Sequence, residues 1–535
     1  MEGLFSERYS VKRSAKIVFF LILVAVGLSI YRDYGISWDE PTSRLNGAVT
    51  LKYVAERLAP ALLPTAVSNL PSLNTYSDHD YGVVFEAPAV ALQVMLGISD
   101  SKNVFLFRHL LTFLVSLTGI YAVQKMAERR FSNWKIGFLA ALFLVLTPRL
   151  FAESFYNSKD LVFMALFAVA MNTTIKFVLD PCPKNAFLHG LASALAIDVR
   201  IMAVILPVAT VAILIVRLLK RELPLPATYR ALGVYLVVAP ILIVAMWPWL
   251  WSNPIGNFVQ AFANMSKFRT QPDVLYMGRF VPSTELPWHY VLVWISITTP
   301  LLYLGLFVVG AVNTIRTIVS RRAGLWKSDE ELQDAIFLAL FVAPIASVVL
   351  LHSVIYDGWR HLYFIYPAFL LVAINGWVWL WGEDLVWTTR KSLLAIVTAI
   401  SVILTATWMW NAHPFQNIYF NALAGTDLRS RYELDYWGLA NRKALEYIVK
   451  NDHSELIYVE SGSFTPLDTS FYMLDAADRK RLRDPDDKNV AQYVVTNYRL
   501  LKPPNDDKYL EDYDLFYQIK LDDEVILSVF RRKAA

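Results

Sequence analysis

From residue 16 to residue 411 the chain repeats one pattern, an apolar run of roughly membrane-spanning length followed by a short polar stretch. The runs fall at 16–32, 104–123, 136–149, 159–176, 186–199, 201–217, 231–251, 289–312, 334–352, 362–382 and 392–411, which predicts about eleven transmembrane helices. Beyond 411 the pattern changes. NRKALEYIVKND has the spacing of an amphipathic helix, and ELIYVES, AQYVVTN, DLFYQIK and EVILSVFR read as short strands, the last two joined through LDDE as a hairpin. The expected fold is a multi-pass α-helical membrane domain over 1–411, with a long first outer loop at about 33–103, followed by a small α/β extracytoplasmic domain over 412–535.

Composition agrees with a membrane protein: 56% of the residues are hydrophobic, mean hydropathy is +0.40, and the chain holds 16 Trp, 27 Tyr and 31 Phe, aromatics that favour membrane interfaces. A net charge of +4, with basic residues spread along the chain, gives no nucleic-acid surface. The single cysteine, Cys182, excludes an intramolecular disulfide. No small-residue cleavage pattern follows the first apolar run, so that run reads as a retained anchor. Lys and Arg concentrate in alternate loops, about 20 in roughly 85 positions against about 12 in roughly 140. That asymmetry, with an odd number of spans, predicts an N-terminus in the cytoplasm and a C-terminus outside. The inner loops carry no Gly-rich phosphate-binding motif, so the chemistry is expected on the outer face.

The stretch YGISWDEPTSRL, directly after the first run, sets Asp39 and Glu40 at the membrane surface. An Asp-Glu-Pro sequence can cap the helix that follows, whose Leu51, Val54 and Leu58 have the spacing of an interfacial helix. Further polar residues lie on the same side. Glu86 stands in an aromatic-Glu-x-Pro element, Phe85 to Pro88; Asp160 closes TPRLFAESFYNSKD; His79 sits in YSDHDYG. Arg108 lies inside an apolar run, where a cation needs an acid partner or a polar site, and Asp198 and Arg200 are expected to pair with each other. GWRHLYF places Arg360 and His361 at the mouth of a span.

On these residues, over roughly 1–220, the chain resembles the GT-C membrane glycosyltransferases, in particular glycosyltransferase family 39 with its protein O-mannosyltransferases and lipid A aminoarabinose transferases. The resemblance implies an inverting transfer of a sugar from a polyprenyl-phosphate donor to a lipid, glycan or protein. It implies Asp39, with Glu40 beside it, as catalytic base, Asp160 as a residue shaping the site, and a divalent metal at Glu86; no organic cofactor is implied. His79, between Asp78 and Asp80, is a ligand type that could add to such a metal, the alternative being a solvated acidic loop. Thr42 and Ala87 stand where the lipid A enzymes carry basic residues, so the donor phosphate is expected to meet Arg360, His361, Arg44 or Arg108. The alternative is a polytopic lipid or sugar transporter or flippase. Against it, no internal repeat is visible and the acids gather on one face.

Overall fold

The structure, a computed structural model, describes residues 2–62, 65–266, 270–382, 386–485, 491–501 and 511–533. Among these, nine helices are long and apolar enough to cross a membrane, and the pair Trp134–Val145 and Pro148–Tyr156, bent by 71°, makes a tenth. The expected span at 186–199 falls in the helix Pro183–Val199, whose 17 residues reach about 25 Å, the short end of what crosses hydrocarbon. It nevertheless runs back along the whole of Asp160–Leu179. The two join near Cys182 at one end, and Arg200 meets Asp160 at the other.

Two expected spans are broken, and both breaks sit before a proline. The run 136–149 bends at Thr147-Pro148, and 289–312 separates into Tyr290–Thr298 and Leu301–Arg321 at Thr299-Pro300. Proline lacks an N–H and pushes the preceding residue into extended backbone; Thr147 has ψ 97° and Thr299 ψ 140°. Hydrophobic periodicity cannot see such a break. The bend at Thr147 turns Pro148–Tyr156 inward, which brings Arg149, Glu153 and Asn157 into the site region.

Helices that face one another do so through small residues. A Cβ on Gly310 would fall on the Val372 carbonyl oxygen and one on Gly376 on that of Leu306, so Leu301–Arg321 and Tyr366–Trp381 cross in backbone contact. By contrast Val11–Ile30 buries only 11% of its most apolar window, leaving its aliphatic side chains outward as lipid requires.

The C-terminal residues form the mixed sheet expected for a small α/β module. Strands β1 (Asp273–Tyr276) and β2 (Arg279–Pro282) make a hairpin in the loop before Tyr290 that periodicity missed; the tail contributes β3 (Ile457–Ser461), β4 (Leu482–Arg483), β5 (Tyr493–Thr496), β6 (Tyr513–Leu521) and β7 (Glu524–Arg532). The five-stranded order is β4-β3-β5-β7-β6, parallel between β3 and its neighbours and antiparallel elsewhere. Asp522 and Asp523, both at positive φ (47° and 67°), close β6 onto β7 in the two-residue turn whose twist suits a hairpin. Helix Ala440–Asn451 lays Ala444, Leu445 and Ile448 against Ile457, Val459 and Val529 of the sheet.

This module sits on one end of the bundle. Arg442 Nη1 donates to the backbone carbonyls of Arg32 at 2.6 Å and Tyr34 at 2.7 Å, where the chain leaves its first helix. The opposite end is tied by Lys16 to Glu128 at 2.7 Å and by the Arg130–Asp334 pair at 2.6 Å. The N-terminal part of the first helix and the tail therefore lie at opposite ends of the bundle.

Candidate active site

Asp39 takes the N-cap position of helix Glu40–Leu58, yet its carboxylate makes no capping hydrogen bond. The side chain, 34% exposed, turns instead to Arg360, with Nη1 3.5 Å from Oδ2. Glu40 is 2% exposed and does a different job. Its Oε2 accepts from the Ser37 amide at 2.9 Å, and Oε1 lies 3.2 Å from His109 Nε2, which holds the 37–40 turn against the helix Ser101–Arg130. Gly47, one helical face further on, lets the same helix touch the backbone of Glu86; a Cβ there would strike it.

Arg360 is the centre of the arrangement. It is 3% exposed, donates from Nη1 to Asp160 Oδ2 at 3.1 Å, and sets Nη2 3.2 Å from Asp357 Oδ2. Its guanidinium lies between the rings of Tyr356 and Trp437, at 5.0 and 4.8 Å. A snorkelling arginine would show its head to water; this one is buried among carboxylates, as an unpaired charge could not be. Asp160 also binds Arg200, and Asp357 Oδ1 accepts from Arg499 Nη2 at 2.7 Å. Asp357 and Gly358 both have positive φ, 56° and 70°, a turn that strains a non-glycine residue and that the buried ion pairs keep in place.

Arg499 belongs to the tail, and so does Trp437. The Arg499 guanidinium stacks 4.3 Å from the ring of Trp38, the residue before Asp39, and donates to the Tyr436 carbonyl at 2.8 Å. Tyr436 and Tyr363 both direct hydroxyls to Glu153 Oε1, at 3.1 and 2.8 Å. The tail thus forms one wall of the site.

The other wall carries the remaining sequence candidates. Glu86 Oε2 pairs with Arg108, and Oε1 accepts from the Ser158 hydroxyl at 2.7 Å. Arg44 turns away, donating to Gln93 Oε1 at 3.0 Å. His361 sets its ring 4.9 Å from Tyr356 and leaves Nδ1 without a partner. His79 stacks on Trp249 at 4.6 Å and faces the Tyr76 carbonyl. Asp198 and Arg200 do not pair with each other: Asp198 Oδ1 accepts from the Val84 amide at 2.6 Å, and Arg200 crosses to Asp160. A helix end at Val199 points consecutive polar side chains to different sides, so nearness in sequence does not bring them together. Both Glu86 oxygens are occupied, one by a cation, and among the described residues no three His, Cys, Asp or Glu side chains are grouped to hold a metal ion. The residues present therefore do not fit a divalent metal.

Residues 90–249 match the family described as dolichyl-phosphate-mannose-protein mannosyltransferase. No curated protein matches the sequence. Among solved structures, apo ArnT from Cupriavidus metallidurans aligns over 96% of this chain and 98% of its own, with a TM-score of 0.50 at 13% identity. The chain has the GT-C glycosyltransferase fold. The undecaprenyl-phosphate-bound structure of the same ArnT aligns over the same shares at 12% identity, with a TM-score of 0.47.

In this GT-C fold the acids and cations that sequence reasoning selected divide into two groups, Asp39–Asp160–Arg360 and Glu86–Arg108, with Arg44 and His79 at the margin. Sequence reasoning passed over Arg499, Trp437 and Lys159. Nothing local marks the first two, since NYRL and DYWG are ordinary in a soluble domain. Lys159 could have been found as a basic residue next to Asp160 in SFYNSKD. Its ammonium lies 3.7 Å from the centre of the Tyr81 ring; burial and Arg200 pull it down to about 8, against Asp39 and Asp160.

The junction between tail and bundle holds a further acid, Glu433, buried between the β1–β2 hairpin and Arg499. Burial pushes its carboxyl up to about 7, opposed by Arg499 and aided by Asp357. Burial likewise raises Asp435 to about 6 although the Leu439 and Ala440 amides donate to it. The folded protein keeps protons here that the unfolded chain, with acids near 4, gives up. Stability from these groups is therefore full below about pH 4 and declines as pH rises toward 7. Thermal unfolding in detergent is expected to show a higher midpoint at pH 5.5 than at pH 8, with Glu433→Gln flattening the difference by up to about 2 kcal/mol. An unchanged slope in that variant would locate the titration elsewhere.

Proposed function

We infer that the protein is an inverting glycosyltransferase that moves a sugar from a polyprenyl-phosphate donor to a hydroxyl of a lipid, glycan or protein at the end of the bundle covered by the tail. The observation that carries the reading is Asp39. It is the one carboxylate of the Asp39–Asp160–Asp357 group open to solvent, and it sits where the first membrane helix ends. A donor whose isoprenoid stays in hydrocarbon would hold its phosphate and sugar at this level. Asp39 takes the acceptor hydroxyl proton as that oxygen attacks the anomeric carbon; the bond from that carbon to the phosphate oxygen breaks, and its electron pair leaves on the phosphate. Arg360, fixed by Asp160 and Asp357, holds Asp39 in place and presents its free Nε to the developing charge. The family matched by residues 90–249 uses, by its description, dolichyl-phosphate-mannose, a donor of the same chemistry.

The loop asymmetry supports a reading in which the N-terminus is cytoplasmic and the tail lies outside a bacterial inner membrane. A cytoplasm-only reporter fused after Ala535 is expected to be silent, and activity from it would reverse the orientation. The test of the reaction is mass spectrometry of envelope lipids, glycans and proteins from cells carrying the wild-type chain or Asp39→Asn. A sugar present on one acceptor in the first and missing in the second supports transfer. Identical covalent products, with only the distribution of a lipid-linked sugar across the membrane altered, would favour a flippase.

A further inference from the structure

The three arginines closest to the Asp39–Glu86 acids already have carboxylates: Arg360 has Asp160, Asp357 and, more loosely, Asp39; Arg200 has Asp160; Arg108 has Glu86. An arriving lipid-linked sugar phosphate, a phosphodiester anion that becomes a monoester as the sugar leaves, needs positive charge that is not already neutralised. Lys159 differs from its neighbours. Among the described residues no carboxylate lies within ion-pair distance of its ammonium, which rests on the Tyr81 ring at the edge of a narrow cleft lined also by Ser43, Asn46, Glu86 and Ser158. A cation–π contact stabilises an ammonium without neutralising it.

Orphaned donors beside the cleft point the same way. Arg108 is 1% exposed, and while one of its nitrogens meets Glu86 in the cleft wall, Nε and Nη1 have no acceptor; Arg200 Nε has none either. Buried guanidinium N–H groups without acceptors are rare in folded proteins and call for an explanation. An unpaired ammonium at the cleft edge, with guanidinium N–H groups that lack acceptors behind its wall, is an arrangement that attracts an anion.

We propose that Lys159 is the donor-phosphate contact of the site, gripping a lipid-linked phosphate at the Ser43–Ser158 cleft while Arg360 keeps the carboxylates in register. This rests on the glycosyl-transfer reading and assigns the phosphate to a residue on the wall opposite the tail. The sugar-linked donor is a phosphodiester with one negative charge, and the lipid phosphate that leaves is a monoester with up to two, so the unpaired ammonium meets the donor and gains importance as the charge develops. The Ser43 hydroxyl, which lines the same cleft, can donate to a remaining oxygen, while the Ser158 hydroxyl is already given to Glu86. The sugar then projects toward Asp39, whose charge acts on the Lys159 ammonium.

The test measures binding of farnesyl phosphate, with farnesol as the control that keeps the chain and removes the phosphate, to the purified full-length protein in nanodiscs. Wild type, Lys159→Arg and Lys159→Met are compared by ligand-induced thermal shift and titration. Expected are a phosphate-dependent shift in wild type, near-wild-type binding in Lys159→Arg, and at least tenfold weaker farnesyl phosphate binding in Lys159→Met with farnesol unaffected. Undiminished phosphate binding by a folded Lys159→Met overturns the assignment and leaves the reaction standing. Equal responses of wild type to farnesyl phosphate and farnesol overturn the lipid-phosphate reading itself, and this assignment with it. In a transfer assay, Lys159→Met is expected to raise the donor KM far more than it lowers kcat; a pure kcat loss would also count against phosphate contact.

Discussion

Asp39→Asn is expected to lower glycosyl transfer by about two to four orders of magnitude, the range lost when a positioned general base is removed, while leaving the folded protein intact. The second half of that expectation follows from geometry. Asp39 is the most exposed of the three acids around Arg360, its contact with that guanidinium is the longest at 3.5 Å, and its carboxylate caps no helix. Asparagine keeps the shape and loses only the ability to take a proton. Thermal stability in detergent should change by less than about 1 kcal/mol, as for an exposed ion pair. Wild-type transfer in the variant would remove Asp39 from the mechanism. A collapse in stability would mean that the residue is structural. Glu40 offers the internal comparison: Glu40→Gln should hurt folding more than rate, because that carboxylate holds the 37–40 turn to His109.

Arg360→Ala is expected to cost both activity and stability. Removing one partner from a buried ion pair commonly costs about 3–5 kcal/mol because the other charge stays buried alone. Here Asp160 retains Arg200 and Asp357 retains Arg499, so the low end, about 3 kcal/mol, is expected. Arg360→Lys separates the two roles. A single ammonium cannot match a planar fork whose Nη1 serves Asp160 and Asp39 while Nη2 serves Asp357. The lysine variant should therefore fold, with transfer weakened by about 1–3 kcal/mol, roughly ten- to a hundredfold. Measuring unfolding and transfer on the same preparations checks both statements; a lysine variant equal to wild type in both would show that the fork geometry does not matter.

The membrane character of residues 1–411, the approximate place of each apolar run and the helix and four longer strands of the tail were legible in the sequence, because burial in lipid or in a sheet face imposes periodicity on neighbouring residues. Asp39, Glu86 and Asp160 stood out through the Asp-Glu after the first run, the aromatic-Glu-x-Pro element and the acid that opens a span, and the fold sets Asp39 and Asp160 around Arg360 and Glu86 against Arg108. Arg108 was legible as needing a partner, and Glu86 is that partner. The breaks at Pro148 and Pro300 were not, since hydropathy counts composition and ignores a missing N–H.

Partnership was decided only by the tertiary structure. Arg200 leaves Asp198, two residues away, for Asp160, forty residues away; Arg360 joins acids from residues 39, 160 and 357; Arg499 comes from a domain with no motif of its own to brace Asp357 and Trp38. Charges in low dielectric interact over several ångströms with whatever the fold places there, and that choice has no period along the chain. Sequence by itself thus determined which residues cannot be indifferent to a membrane. The packing of the helices under a seated tail determined which of them neutralise one another, and left Asp39 open and Lys159 without a carboxylate partner among the described residues.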